Sequence, residues 1–117
     1  MRYVSRKSLL YLSDILEAVT KIRSYTKGLS QTDFETNDLI LDACYHNFLV
    51  IGEAVKQLPD ALLAAYPSVP WREIKGMRDY VAHEYFRVDN RILWDVIQYH
   101  LAALELAATE LLTTEAD

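Results

Sequence analysis

Three glycines, three prolines and one cysteine in 117 residues leave this chain little with which to make tight turns or cross-links. So few breakers argue against a strand-and-turn architecture and favour long helices. Cys44 has no second cysteine to pair with, and no Cys/His spacing reads as a metal site. No run of about 18 apolar residues occurs, so no segment is expected to span a membrane. The start of the chain is basic, but the Leu9–Leu12 run meets Asp14 too early for a secretory signal. A cytoplasmic location is the default expectation, and the length fits one domain over residues 1–117.

Acidic residues outnumber basic ones, 17 to 12, for a net charge of −5. Taken whole, that opposes simple phosphate-driven binding of nucleic acid. The charge is uneven, however. Between Arg72 and Arg91 there are five basic and four acidic residues, leaving the rest of the chain at −6.

Apolar periodicity predicts helices. Leu9, Leu12, Ile15, Leu16, Val19 and Ile22 space a helix over Ser5–Lys27, stopped by Gly28. Ser30–Thr36 reads as a polar loop. A second helix is expected over Glu35–Leu58, with Leu39, Ile40, Ala43, Phe48 and Ile51 among its inner positions. A short helix over Asp60–Tyr66 ends before Pro67. The next begins near Ser68 and Pro70 and runs to Glu84. The last spans Asn90–Leu112, with Ile92, Leu93, Val96 and Ile97 facing inward, and ends in a polar tail. The fold class is all-α: a small antiparallel bundle of about five helices. Amphipathic helices in so short a chain leave apolar surface for a second copy, so a homodimer is expected.

One stretch carries chemistry: Gly76-Met77-Arg78-Asp79-Tyr80-Val81-Ala82-His83-Glu84-Tyr85-Phe86. At about 100° per residue, Trp71, Ile74, Arg78, Val81 and Tyr85 share one stripe. Arg78 stands where leucine would be ordinary. Asp79 and His83 are four apart, so the carboxylate is placed to fix the imidazole tautomer. Arg78 and His83 are five apart, about 140° around the helix, and point in different directions. Two copies facing across a two-fold axis would bring two arginines and two histidines to one cleft. That set suits metal-free RNA cleavage, which needs a base for the 2′-OH, an acid for the leaving 5′-oxygen and a cation for the phosphorane. Glu53, in Ile51-Gly52-Glu53-Ala54-Val55-Lys56, is a carboxylate on an apolar helix face and wants a cation, for which Arg78 is a candidate.

A structural alternative stays open on the residues alone. Arg78 also reads as a buried ion-pair partner of Glu53 or Asp79, and His83 as a residue complementing the helix C-terminus. Tyr80, Tyr85 and Phe86 also read as core aromatics. His46 and His100 look isolated, and Cys44 reads as core.

The segments IGEAVKQLP and YPSVPWREIKGMRDYVAHEYFRVDNRILWDVI resemble the HepT-like family of the HEPN superfamily, nearly end to end. The hallmark, Arg then four to six residues, His, one residue, Tyr, falls here on Arg78, His83 and Tyr85. The resemblance implies a dimeric helical bundle and a metal-independent endoribonuclease toxin needing no cofactor. It places Arg78 and His83 as catalytic residues in a cleft shared by both chains; Asp79, at the polar position after the arginine, and Glu53, from its own apolar setting, are expected to support them. It also implies a partner, a minimal nucleotidyltransferase antitoxin of the MNT type, that transfers AMP to Tyr85. The alternative is a non-catalytic subunit that binds nucleotide or docks the transferase.

Overall fold

A computed structural model describes residues 4–114. The first three residues and the end of the polar tail, 115–117, lie outside the described residues. Among the described residues there is no strand, and seven helices run α1 Arg6–Thr26, α2 Gln31–Glu35, α3 Asp38–Lys56, α4 Asp60–Leu63, α5 Trp71–His83, α6 Asn90–Tyr99 and α7 Leu101–Thr114.

The ends of the helices follow from capping chemistry. Ser5 and Asn37 accept the Ser8 and Ile40 amides and so start α1 and α3. Gly28 takes φ +78° just past α1, a conformation that suits glycine. The expected loop at Ser30–Thr36 instead holds α2. Its capping box is reciprocal: Ser30 accepts the Asp33 amide while Asp33 accepts that of Ser30. Five residues are too few to show a period, but Phe34 among them is fully buried against Trp94, ring centroids 5.3 Å apart.

The expected final helix is broken in two at His100, which has φ −125°. Hydrogen bonds from His100 to Val96 and from Leu104 to His100 bridge the break, so the chain bends without unravelling. The short helix closes at Leu63, three residues earlier than expected.

α3 is the centre of the bundle. It packs on α1 along one side and on α5 along the other, while α7 covers α1 and α2 meets α6. α3 and α5 are antiparallel, since Gly52 meets Arg78 while Asp42 and Tyr45 meet Tyr85. The apolar stripes converge as the spacing predicts for Leu12, Ile15, Val19 and Ile22 of α1, and for Phe48, Ile51 and Val55 of α3. The first turn of α3 departs from the expected phase: Leu39 is 81% exposed and Leu41 is buried instead. Ile92, expected inside, is also exposed. Among the described residues, no buried side-chain polar atom lacks a hydrogen-bond partner.

Candidate active site

α5 is pinned at both ends. At its start the Trp71 indole N–H donates to the Tyr66 carbonyl at 3.0 Å, behind Pro70 at the cap. Ile74, Met77 and Val81 are its buried residues, and the stripe they form turns the intervening polar residues outward. Past its end, the Tyr80 hydroxyl accepts the Asp89 amide at 2.8 Å and ties down the turn into α6.

The tightest point of α5 is at Arg78. A methyl group added to Gly52 would lie 2.4 Å from the Arg78 β-carbon and 3.0 Å from its backbone nitrogen. Gly52 therefore lets α5 approach α3 at the residue that carries the candidate cation. A mid-helix glycine costs about 1 kcal/mol relative to alanine, and here the close approach offsets that cost. The trace of this approach in the sequence is a glycine inside a helix, one of only three in the chain, next to Glu53.

Arg78 meets two carboxylates. Its Nη1 donates to Asp79 Oδ1 at 3.0 Å, and its Nε lies 3.4 Å from Glu53 Oε2. Glu53 Oε1 also accepts from the Gln57 side-chain Nε2 at 3.3 Å. The expected pairing of Glu53 with Arg78 is present, but neither group is buried. The Arg78 side chain is 43% exposed, and Glu53 lies on the rim of α3. The structural alternative of a buried ion pair thus fails. Exposed ion pairs are worth only about 0–1 kcal/mol, so a phosphate can displace either carboxylate at little cost. The guanidinium keeps donors for that exchange, since it carries five N–H groups in a planar fork.

His83 is the last residue of α5 and is exposed. Its Nδ1 lies 2.8 Å from the backbone carbonyl of Asp79. A carbonyl only accepts, so Nδ1 carries the hydrogen. In the neutral ring Nε2 is then bare, facing solvent as a proton acceptor, and in the charged ring it is a donor. The expected contact between the Asp79 carboxylate and His83 does not form. That carboxylate turns to Arg78, and the main chain of the same residue fixes the tautomer instead.

Tyr85 does not share the Arg78 stripe. α5 stops at His83, and Tyr85 sits in the turn that follows. Its hydroxyl reaches Asp42 at 3.5 Å, and its ring meets Tyr45 edge-on at 5.3 Å. The carboxylates beside Arg78 and Tyr85, Glu53 and Asp42, are eleven residues apart on α3. That is about 16 Å along the helix axis. Phe86 is not a core aromatic either: it is 96% exposed, its ring edge-on to Tyr85 at 5.4 Å. Tyr45 anchors this end. Its hydroxyl donates to Asn90 at 2.6 Å, and burial pushes its pKa up.

A groove of about 470 Å³ opens between α1, α3 and α5. Leu49 and Val50 form its floor, Arg78 and Ala82 its α5 side, Tyr11 and Asp14 its α1 side. His46 lines it too, although from the sequence it looked isolated. The available signal was its spacing, seven residues before Glu53 and hence on the same face of α3. His83 does not line this groove, and five residues along one helix set it about 140° around from Arg78. Among the described residues no three His, Cys, Asp or Glu side chains cluster as a metal site requires. No helix among them is long and apolar enough to cross a membrane.

An all-helical bundle presenting exposed arginine and histidine from one short helix defines a class of protein, and comparison with known proteins identifies it. Residues 15–111 match the family model described as "Ribonuclease HepT-like". The chain belongs to this HepT-like family of HEPN proteins. It is 39% identical to "Putative RNase TTE0752" of Caldanaerobacter subterraneus subsp. tengcongensis, over 90% of this chain and 94% of that one. It is 36% identical to "Probable ribonuclease HepT" of Thermococcus cleftensis, over 81% of this chain and 86% of that one. It is 37% identical to "Putative RNase MJ1216" of Methanocaldococcus jannaschii, over 81% and 78% respectively. No solved structure matches the chain.

Proposed function

We propose that this protein is an endoribonuclease toxin whose site is completed by a second copy. The observation that carries the reading is the state of His83: an exposed imidazole whose Nδ1 is fixed by the Asp79 carbonyl, leaving Nε2 for proton transfer. One imidazole takes the proton of a ribose 2′-OH, and that oxygen attacks the adjacent phosphorus. The bond to the 5′-oxygen breaks, and the second imidazole protonates the leaving oxygen. The products are a 2′,3′-cyclic phosphate and a free 5′-hydroxyl. Arg78 exchanges a carboxylate for the phosphate and stabilises the charge of the phosphorane. Because Arg78 and His83 diverge within one chain, the reading requires a homodimer with a shared cleft. Glu53 and Asp79 hold Arg78 when RNA is absent.

A cognate MNT-type nucleotidyltransferase neutralises the toxin by AMP transfer: the Tyr85 oxygen loses its proton and attacks the α-phosphorus of ATP, and pyrophosphate leaves. The physical effect follows from the position of Tyr85. A phosphodiester there meets the Asp42 carboxylate, so like charges repel and the ring is driven off Tyr45. A second reading, a non-catalytic subunit that docks the transferase, draws on the two carboxylates that surround Arg78. Two experiments separate them. Purified protein should cut RNA, and His83→Ala should abolish cleavage while leaving transferase binding intact; an inert wild type or an active His83→Ala removes the toxin reading. Co-production with the transferase should add the mass of AMP to a Tyr85 peptide, and an unmodified peptide removes the neutralisation step.

A further inference from the structure

Phe86 is a large apolar side chain in water, and it is held there. Tyr45, Tyr85 and Phe86 form an edge-to-face ladder, with centroids 5.3 and 5.4 Å apart, that sets the outermost ring on a braced turn. Arg87 follows, exposed, and among the described residues no ion pair engages it. The groove over α3 has the reverse character. Its floor is apolar, Leu49 and Val50, and its α1 side carries Asp14, which is likewise without an ion pair.

From this complementarity we infer that the Phe86–Arg87 turn of a second copy seats in the groove. The partner's Phe86 covers Leu49 and Val50, and the partner's Arg87 pairs with Asp14. The contact is isologous, so each copy offers one key and one groove. It also adds a second imidazole near the site. Three residues span at most about 10 Å between Cα atoms, so a seated turn sets its own His83 backbone within about that distance of the seated residue. Arg78 lines that groove. The inference rests on the shared-cleft reading above and supplies the contact that would bring the two groups together.

Sedimentation of wild type and Phe86→Glu tests it. Phe86 is exposed, so the variant should keep wild-type helicity. Its self-association should weaken at least about tenfold, since a charge replaces a buried aromatic anchor. Asp14→Arg and Arg87→Asp should each weaken association, and the two together should restore it. A wild type that stays monomeric, a Phe86→Glu dimer of unchanged strength, or no restoration in the double variant overturns the interface. So does an unchanged Phe86→Glu dimer with weakened RNA binding, which makes Phe86 a base-stacking contact. A wild type that dimerises through Phe86 but cuts no RNA keeps this interface and loses the ribonuclease reading. A dimer that cuts RNA with Phe86→Glu in place does the reverse.

Discussion

α3 and α5 lie side by side and are built oppositely. α3 buries nine of its nineteen residues, α5 three of its thirteen. α3 touches neighbours on both sides, so its sequence is spent on packing. α5 is held by Ile74, Met77 and Val81, by the close approach at Gly52 and by the hydrogen bonds of Trp71 and Tyr80. Its remaining positions are free for groups that packing would not choose. The candidate polar site therefore lies on a helix with little to bury, and it is held by one with much.

Substitutions should reproduce the contrast in order of size. Phe48→Ala, in the core face of α3, should destabilise the fold by about 3–5 kcal/mol in denaturant titration. A loss below about 1 kcal/mol would deny α3 its place as scaffold. Gly52→Ala should cost about 1–3 kcal/mol even though alanine is the better helix former, because α5 must move away. RNA cleavage should suffer beyond that loss, since Arg78 moves with the helix. A Gly52→Ala protein more stable than wild type would show that the approach at Arg78 is slack. His83→Ala and Arg78→Lys should change stability by no more than about 0.5 kcal/mol. Each should still lower cleavage by about 100-fold or more.

The smallest effect belongs to the start of α6, where Asp89 caps the helix and meets Arg91 at 2.9 Å. Hydrogen bonds from Arg91 hold the Asp89 carboxyl below its ordinary 3.8. A depressed folded pKa means that the unfolded chain takes up the proton first on acidification. The contribution of Asp89 is thus constant well above pH 3.8 and fades as pH falls through the folded value. The stability gap between wild type and Asp89→Asn should accordingly narrow only in that acid range. A gap that narrows near neutrality would assign the effect to another group.

The sequence made the scaffold legible because long amphipathic helices repeat their signal. α1 and α3 each carry five turns or more, and their buried stripes emerge with only the first turn of α3 out of phase. α2 escaped because one turn has no period, and the break at His100 escaped because neither glycine nor proline marks it. At the candidate site, chemistry was legible and direction was not. A carboxylate beside apolar residues wanted a cation, and Glu53 lies against Arg78. Spacing pairs Asp79 with His83, but at a helix end the main-chain carbonyl is already in reach. Helical spacing puts Tyr85 on the Arg78 stripe only if the helix continues, and it stops two residues sooner. Tertiary neighbours such as Gly52 and His46 leave only weak local traces, a glycine within a helix and a seven-residue interval.

Two chains sharing one cleft is the central requirement of the proposed mechanism, and subunit mixing tests it directly. Wild-type and His83→Ala chains are refolded together in varying ratio, and RNA cleavage is measured at constant total protein. If one imidazole from each chain is needed, activity follows the square of the wild-type fraction, about a quarter at equal mixing. If a site needs only one imidazole, activity follows the fraction itself, about half at equal mixing, and the division of acid and base between two chains is contradicted.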